Sequence, residues 1–249
     1  METLTGKVYA ITGGNSGIGL ATAQELVQRG AQVAIFGRNA QTLAAAQQEL
    51  GPTTVAVRGD VTARDDLQRF FTEIAQQFDR LDGLFVNAGQ AAFAPIEAVT
   101  EEQMASLFAV NFTGAIHTIQ AALPLLRQDA AIVLNSSMYT ALGVPGSSIY
   151  SASKAALESL ARTLSAELVG RGIRVNAVSP GNILTPLYDR LGMPPAMLEA
   201  AKAAENERVP MQRFGRADEV ARAVVFLLAP DSSYMVGETL VVDGGRSRL

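Results

Sequence analysis

Tyr150 and Lys154 stand four residues apart, and the apolar positions that follow them, Ala156, Leu157, Leu160, Ala161, Leu164 and Leu168, recur at helical spacing. Both side chains therefore share one face of one helix. A free tyrosine titrates at about 10, and a neighbouring ammonium favours the phenolate, each unit of lowering being worth about 1.4 kcal/mol. The spacing thus predicts a phenol made usable as an acid or base near neutral pH. Thirteen residues before Tyr150, Ser137 follows the apolar run Ile132, Val133, Leu134, which reads as a buried strand. Its hydroxyl is expected at the strand's carboxyl end, where open α/β sheets bind ligands. Tyr-x-x-x-Lys also occurs by chance in many helices, so its meaning rests on what surrounds it.

A strand over 7–12 (K-V-Y-A-I-T) runs into the glycine-rich turn Gly13-Gly14-Asn15-Ser16-Gly17-Ile18-Gly19, and a helical period then continues to Arg29-Gly30. Strand, turn and helix form the front half of a βαβ unit. Glycines at 13, 17 and 19 turn the chain tightly and let backbone amides and a helix N-terminus approach a pyrophosphate. The spacing G-x-x-x-G-x-G departs from the commoner G-x-G-x-x-G, and an isolated turn of this kind can also be purely structural.

The residues past the second strand, 32–36, bear on the choice of cofactor. A chain that binds NAD usually places Asp or Glu there to bond the ribose 2'-hydroxyl. This chain has Gly37-Arg38-Asn39 instead. With no carboxylate to repel it, a 2'-phosphate can lie against the Arg38 guanidinium, which points to NADP(H). The competing reading has Arg38 capping a surface loop and stacking on adenine.

The alternation continues with a strand over 53–58 ending at Asp60, an amphipathic helix over 63–78, and a strand over 83–86 that leads to Asn87-Ala88-Gly89. Thr100-Glu-Glu-Gln reads as a capping box opening a long helix through Leu126. A strand over 131–135, the Tyr150 helix, a strand over 173–178 closed by Pro180-Gly181, a helix over 217–228 and an edge strand over 238–242 complete the pattern. The segment 182–214, interrupted by prolines and carrying a short helix over 196–205, is too long for an ordinary connection, and such insertions often act as lids. Leu184, Leu187, Tyr188, Leu191, Met193 and Met197 either line an apolar pocket there or pack on the parent fold.

Strands alternating with helices imply a parallel sheet covered on both faces. A TIM barrel shares that alternation, but a nucleotide-type turn after the first strand favours a single doubly wound Rossmann domain of about seven strands spanning 1–249.

The chain of 249 residues has a net charge of -4, no basic cluster and no cysteine. Nucleic acid and anionic membranes are poor partners for such a surface, and thiolate chemistry is excluded. No secretory leader or apolar run long enough to span a membrane is evident, so a soluble, cytoplasmic protein is expected. His117 is the only histidine and lies within a helical pattern, which leaves it a structural or solvated role; a Ser-His-Asp hydrolase would have to use it, yet no G-x-S-x-G elbow occurs, and a His-rich metal site is impossible.

Taken together, T12-G-G-N-S-G-I-G19, N87-A-G89, Asn111, Ser137, Y150-S-A-S-K154 and P180-G181, in this order and at these separations, resemble the short-chain dehydrogenase/reductases of about 250 residues. The match covers nearly the whole chain. The resemblance implies that Tyr150 is the general acid or base, Lys154 binds the nicotinamide ribose and lowers the Tyr150 pKa, Ser137 holds the substrate oxygen, and Asn111 helps a proton relay. It further implies that Asp60, with Val61 beside it, meets the adenine, that Asn87 to Gly89 flank the adenine ribose, and that Ile183 and Thr185 meet the nicotinamide amide. The activity implied is NADP(H)-dependent interconversion of a small carbonyl compound and its alcohol. A 3-oxoacyl carrier-protein reductase is an alternative, with Arg127 and Arg171 its candidate docking residues, and a non-catalytic dinucleotide sensor is a more distant one. Family members commonly form homodimers or homotetramers through the helices here at about 100–126 and 150–168.

Overall fold

A computed structural model describes residues 3–186 and 194–249. In chain order its elements are β1 (Val8–Thr12), α1 (Gly17–Gln28), β2 (Gln32–Gly37), α2 (Ala40–Leu50), β3 (Val55–Arg58), α3 (Arg64–Phe78), β4 (Leu81–Val86), α4 (Glu101–Phe108), α5 (Gly114–Ala122), β5 (Leu126–Asn135), α6 (Ser148–Leu168), β6 (Arg174–Pro180), β7 (Ile183–Leu184), α7 (Pro195–Arg208), β8 (Gly215–Arg216), α8 (Ala217–Leu228) and β9 (Thr239–Val242).

Seven strands form one sheet in the order β3-β2-β1-β4-β5-β6-β9, and every pairing is parallel. The sheet is open at β3 and β9, which sets the barrel alternative aside. Its strand order reverses between β1 and β4, so the loops on either side diverge and open a crevice at the carboxyl ends.

The strands are apolar without a break because both of their faces are covered. In β1, Val8 and Ala10 enter a core shared with α3, α5 and α6, while Tyr9 and Ile11 enter the opposite core with α1, α2 and α8. The two-residue period of the strand divides the chain's apolar residues between two helical layers. Among the described residues no helix is long and apolar enough to cross a membrane.

Three local features differ from the sequence expectation. Helix α2 was not anticipated, because A-Q-T-L-A-A-A-Q-Q-E-L buries only Leu43, Ala46 and Leu50 and carries a weak apolar stripe. The expected long helix does open on a capping box, Thr100 Oγ1 accepting from Gln103 N at 3.2 Å, but it does not run through Leu126. It passes through a π-helical turn at Ala109–Thr113 and stops at Ala122. Leu126 already pairs with Leu81 in the sheet, and a register slip carries the polar run that follows, with Asp129 at φ 67°. Within that run Arg127 lies 3.0 Å from the buried Asp82 carboxylate, which Lys7 approaches at the same distance.

In the insertion, α7 extends the expected short helix. A two-stranded parallel sheet, Ile183 opposite Gly215 and Leu184 opposite Arg216, ties the two ends of the insertion together. Leu184 and Met197 are exposed, whereas Leu187, Tyr188, Leu191 and Met193 lie outside the described residues.

Candidate active site

A cleft of about 1120 Å³ lies along the carboxyl ends of the strands. All the site candidates named from the sequence line it except Gly19 and Asn111, which stand directly behind its wall. His117 sits on α5 outside it.

At one end the glycine turn leaves β1. Gly13 and Gly17 have φ of 66° and 54°, a region costly for residues with a side chain. A Cβ at Gly19 would overlap the Gly13 carbonyl and stand 2.6 Å from Asn87 Nδ2. Ser16 precedes α1 without capping it, so the first amides of α1 have no side-chain partner and carry the positive end of the helix dipole. Asn87 holds the turn's underside: its Nδ2 donates to the carbonyls of Thr12 at 3.0 Å and Gly13 at 3.2 Å.

Beyond β2, Asn39 caps α2, its Oδ1 accepting from Gln41 N at 2.9 Å and Thr42 N at 3.0 Å. Asn15 donates to Thr42 Oγ1 at 2.6 Å and occupies the space above Gly37, where a Cβ would overlap its carboxamide. Arg38 is largely exposed and lies 3.7 Å from the Asp60 carboxylate. Asp60 Oδ1 accepts from the amide and the hydroxyl of Thr62 at 2.9 and 2.8 Å. A second arginine, Arg58, reaches the same rim and donates from Nε to the Arg38 carbonyl at 3.1 Å. Arg58 was missed from the sequence, since a lone arginine ending a strand carries no motif.

At the other end α6 presents Tyr150 and Lys154, both buried. Ser137 and Tyr150 line the same end of the cleft, and the Ser137 hydroxyl favours the ionised form of the phenol. Lys154 Nζ donates to the Asn135 carbonyl at 2.8 Å. Gly89 makes room for this convergence: a Cβ there would stand 3.2 Å from Lys154 Nζ and 3.3 Å from Asn111 Oδ1.

The electrostatics correct the sequence reading. Burial pushes the Tyr150 phenol above its ordinary value; the Ser137 hydroxyl pulls it back in part, and the neighbouring Tyr139 pushes it further up. Burial also lowers Lys154 to about 8. The cation therefore does not depress the phenol in this state, because desolvation outweighs any attraction and the ammonium is directed at a carbonyl.

Asn111 lies in the π-helical turn, a distortion that often marks functional positions. Its Oδ1 accepts from Gln90 N at 2.9 Å, and its Nδ2 donates to Gln90 O and Ser153 Oγ, each at 3.0 Å. Ser153 in turn donates to the Tyr150 carbonyl at 2.8 Å, so Asn111 joins the loop after β4 to the Tyr150 helix. Ser137 is bracketed as well. The Glu158 carboxylate accepts from Ser136 Oγ at 2.7 Å and from Thr140 Oγ1 at 2.8 Å.

Two observations test whether a dinucleotide fits. The glycine cradle is shaped so that added Cβ atoms would fill it. In addition, Asn135 Oδ1 is buried in the cleft without a partner, although Asn135 Nδ2 donates to Asn87 Oδ1 at 2.9 Å. A buried orphan acceptor beside Lys154 suits a bound donor.

A family model described as "Enoyl-(Acyl carrier protein) reductase" matches residues 13–247. The chain is 38% identical over 251 residues to oxidoreductase asL5 of Sarocladium schorii, covering 100% of this chain and 99% of that protein. It is 36% identical to glucose 1-dehydrogenase of Gluconobacter oxydans (strain 621H), with 98% and 93% covered. Among solved structures, an NADPH-bound short chain oxidoreductase from Pseudomonas aeruginosa PAO1, described as containing an atypical catalytic center, superposes with a TM-score of 0.92 at 32% identity, with 100% of both chains covered.

Proposed function

Since this chain belongs to the short-chain dehydrogenase/reductase family of oxidoreductases, we propose that it is an NADP(H)-dependent carbonyl reductase or alcohol dehydrogenase acting on a small-molecule ketone or aldehyde. The observation that carries this reading is that Ser137, Tyr150 and Lys154 line one end of a cleft whose far rim holds two arginines.

The dinucleotide, when bound, supplies or accepts hydride at its nicotinamide C4. Gly13, Asn15, Ser16, Gly17, Ile18 and Gly19 cradle its pyrophosphate. Arg38 and Arg58 take the 2'-phosphate, with Asn39, Asp60 and Val61 around the adenine end and Asn87 to Gly89 along the ribose. Asn135 Oδ1 and the remaining N–H groups of Lys154 serve the nicotinamide ribose, and Pro180, Gly181, Ile183 and Thr185 border its carboxamide. Support for NADP(H) comes from Gly37, where Asn15 leaves no space for a carboxylate.

The substrate carbonyl accepts hydrogen bonds from Ser137 and Tyr150, which stabilise charge developing on its oxygen. Tyr150 then releases its proton to that oxygen. Its raised pKa keeps the phenol protonated at neutral pH, the state required of a general acid, so reduction is the favoured use of the site. Asn111 holds Ser153 and the Tyr150 helix in place and leads the replacement proton inward. Described residues of the 182–214 insertion, among them Pro186 and Phe214, border the cleft of this single Rossmann unit. The outer faces of α4, α5 and α6 join copies into a cytoplasmic homo-oligomer.

Reduction of a 3-oxoacyl group carried by an acyl carrier protein is the competing reading, and a 36% identical relative named a 3-oxoacyl-[acyl-carrier-protein] reductase favours it. Against it, Arg127 pairs with buried Asp82, which leaves Arg171 as the one of the two docking candidates with no carboxylate partner among the described residues. The test is consumption of NADPH with a panel of simple ketones set against acetoacetyl thioester. Tyr150→Phe is expected to lower turnover by roughly 10²- to 10⁴-fold while NADPH still binds. A variant that keeps most of its rate contradicts the proton-donor role.

A further inference from the structure

The substrate end of the cleft is walled by rings. Phe93, Tyr139 and Tyr150 form a triangle with centroid separations of 5.5 to 5.7 Å and interplanar angles of 43°, 60° and 77°. These are tilted and edge-on contacts, which aromatic rings favour and which a further ring can join. Phe93 is 44% exposed although it touches both tyrosines, so a large part of its surface has no protein partner.

A second groove of about 820 Å³ lies on the far side of Phe93. Phe93, Val144 and Pro145 line both spaces and are the partition between them. Beyond that partition the walls include Pro95, Ile96 and Leu142, and Ile96 is 67% exposed. Glu97 is the groove's only charged lining residue among those described. A group that crosses the partition therefore meets apolar carbon, a few serine hydroxyls and the single Glu97 carboxylate, and no cation there would neutralise an anionic group.

We propose that the enzyme selects aryl ketones bearing an uncharged apolar extension, with the ring seated against Phe93 and Tyr139 and the extension lying in the groove beyond Phe93. This rests on the carbonyl-reductase reading and narrows it to a substrate class. A carbonyl held by Ser137 and Tyr150 has its first substituent at ring distance from Phe93, and a planar substituent is the shape that three tilted rings accommodate. Phe93 is then the specificity-determining residue, facing the substrate ring on one side and its extension on the other.

Gly143 lines the groove and has room for a side chain. A Cβ placed at Gly143 would meet nothing within 4 Å, so Gly143→Phe adds bulk to open space. The experiment measures kcat/KM with NADPH for butanone, acetophenone and para-butylacetophenone in the wild type, Phe93→Leu, Phe93→Ala and Gly143→Phe. In the wild type, acetophenone is expected to exceed butanone by at least tenfold. The butyl group is expected to add about tenfold more, since each buried methylene is worth roughly three- to fourfold and the chain is only partly covered. Phe93→Leu and Phe93→Ala reduce the acetophenone-to-butanone ratio by tenfold or more, and the leucine variant keeps an apolar side chain in place should alanine loosen the loop. Gly143→Phe brings the butylated-to-plain ratio to about one. Equal use of butanone and acetophenone by the wild type, or an undiminished butyl gain in Gly143→Phe, overturns the proposal and leaves the carbonyl-reductase reading standing. Absence of NADPH consumption with every ketone overturns both.

Discussion

Replacing Lys154 by Met should make the dinucleotide-free protein more stable at neutral pH while removing its activity. Lys154 is 4% exposed, and burial takes its pKa from 10.5 to about 8. At about 1.36 kcal/mol per unit, keeping this ammonium charged in the native state costs about 3 kcal/mol relative to the unfolded chain. Methionine fills a similar volume without a charge but leaves the Asn135 carbonyl unpaired, which returns about 1 kcal/mol. The net gain expected at pH 7 is about 2 kcal/mol. A group whose pKa is lower in the native state holds fewer protons there than when unfolded, so wild-type stability rises as pH climbs from about 8 towards 10.5. The advantage of the variant should shrink to near zero by a pH of about 9.5. Urea unfolding of both proteins at the two pH values measures this, with bound dinucleotide first removed because it stabilises the native state by mass action. A variant that is less stable at pH 7 and keeps the wild-type pH dependence would refute the assignment of a strained, buried cation.

Other perturbations follow from the same geometry. Arg38→Leu and Arg58→Leu are each expected to weaken NADPH binding about 10- to 30-fold, the lower range for a charge-assisted contact at an exposed site, with NADH affinity little changed; equal losses for both cofactors in a fluorescence titration would remove the 2'-phosphate from the account. Gly37→Asp, the obvious substitution for converting the site to NADH, should instead weaken both cofactors, because the new side chain displaces Asn15 from Thr42; a clean gain of NADH preference would contradict this packing. With Tyr150 held protonated by burial, kcat/KM for reduction should stay flat between about pH 6 and 8 while alcohol oxidation rises about tenfold per unit, and a falling reduction rate over that range would speak against the raised phenol. Glu158→Ala should lower kcat more than it raises KM by freeing Ser136 and Thr140 on either side of Ser137, and steady-state kinetics with Glu158→Gln as the conservative rescue separates positioning from general loosening.

Much of the architecture was legible because α/β periodicity is written in apolar residues: Val8 to Ile11 alternate between two cores, and Leu67, Phe70, Phe71 and Ile74 mark α3 by spacing alone. The glycine turn could be read because its chemistry requires the absence of side chains. What escaped was set by tertiary context. The slip between Leu81 and Gly83 draws Leu126 into the sheet, and nothing local announces it. The π-helical turn around Asn111 depends on its partners Gln90 and Ser153, which lie far off in the chain. The Tyr150 shift could not be read because spacing conveys that Lys154 is near but not that both groups are buried, and burial decides the sign. Phe93 sits alone in Q-A-A-F-A-P, and only the fold brings it to Tyr139 and Tyr150.

The bonds of Asn87 bear on how this molecule comes together. Its amide and carboxamide reach Thr12 and Gly13 across about 75 positions of chain and Asn135 across 48, so the floor of the cleft is stitched from strands made far apart in time. Contacts of such long loop closure form late, after the entropy of joining distant segments has been met. A nascent fragment ending before β4 would own the glycine turn yet lack the Asn87 carboxamide beneath it, and one ending before β5 would still lack the Asn135 that braces Asn87. Nucleotide retention should thus report that β1, β4 and β5 have come together, and a dinucleotide added during refolding should capture molecules that have reached that stage rather than guide earlier ones.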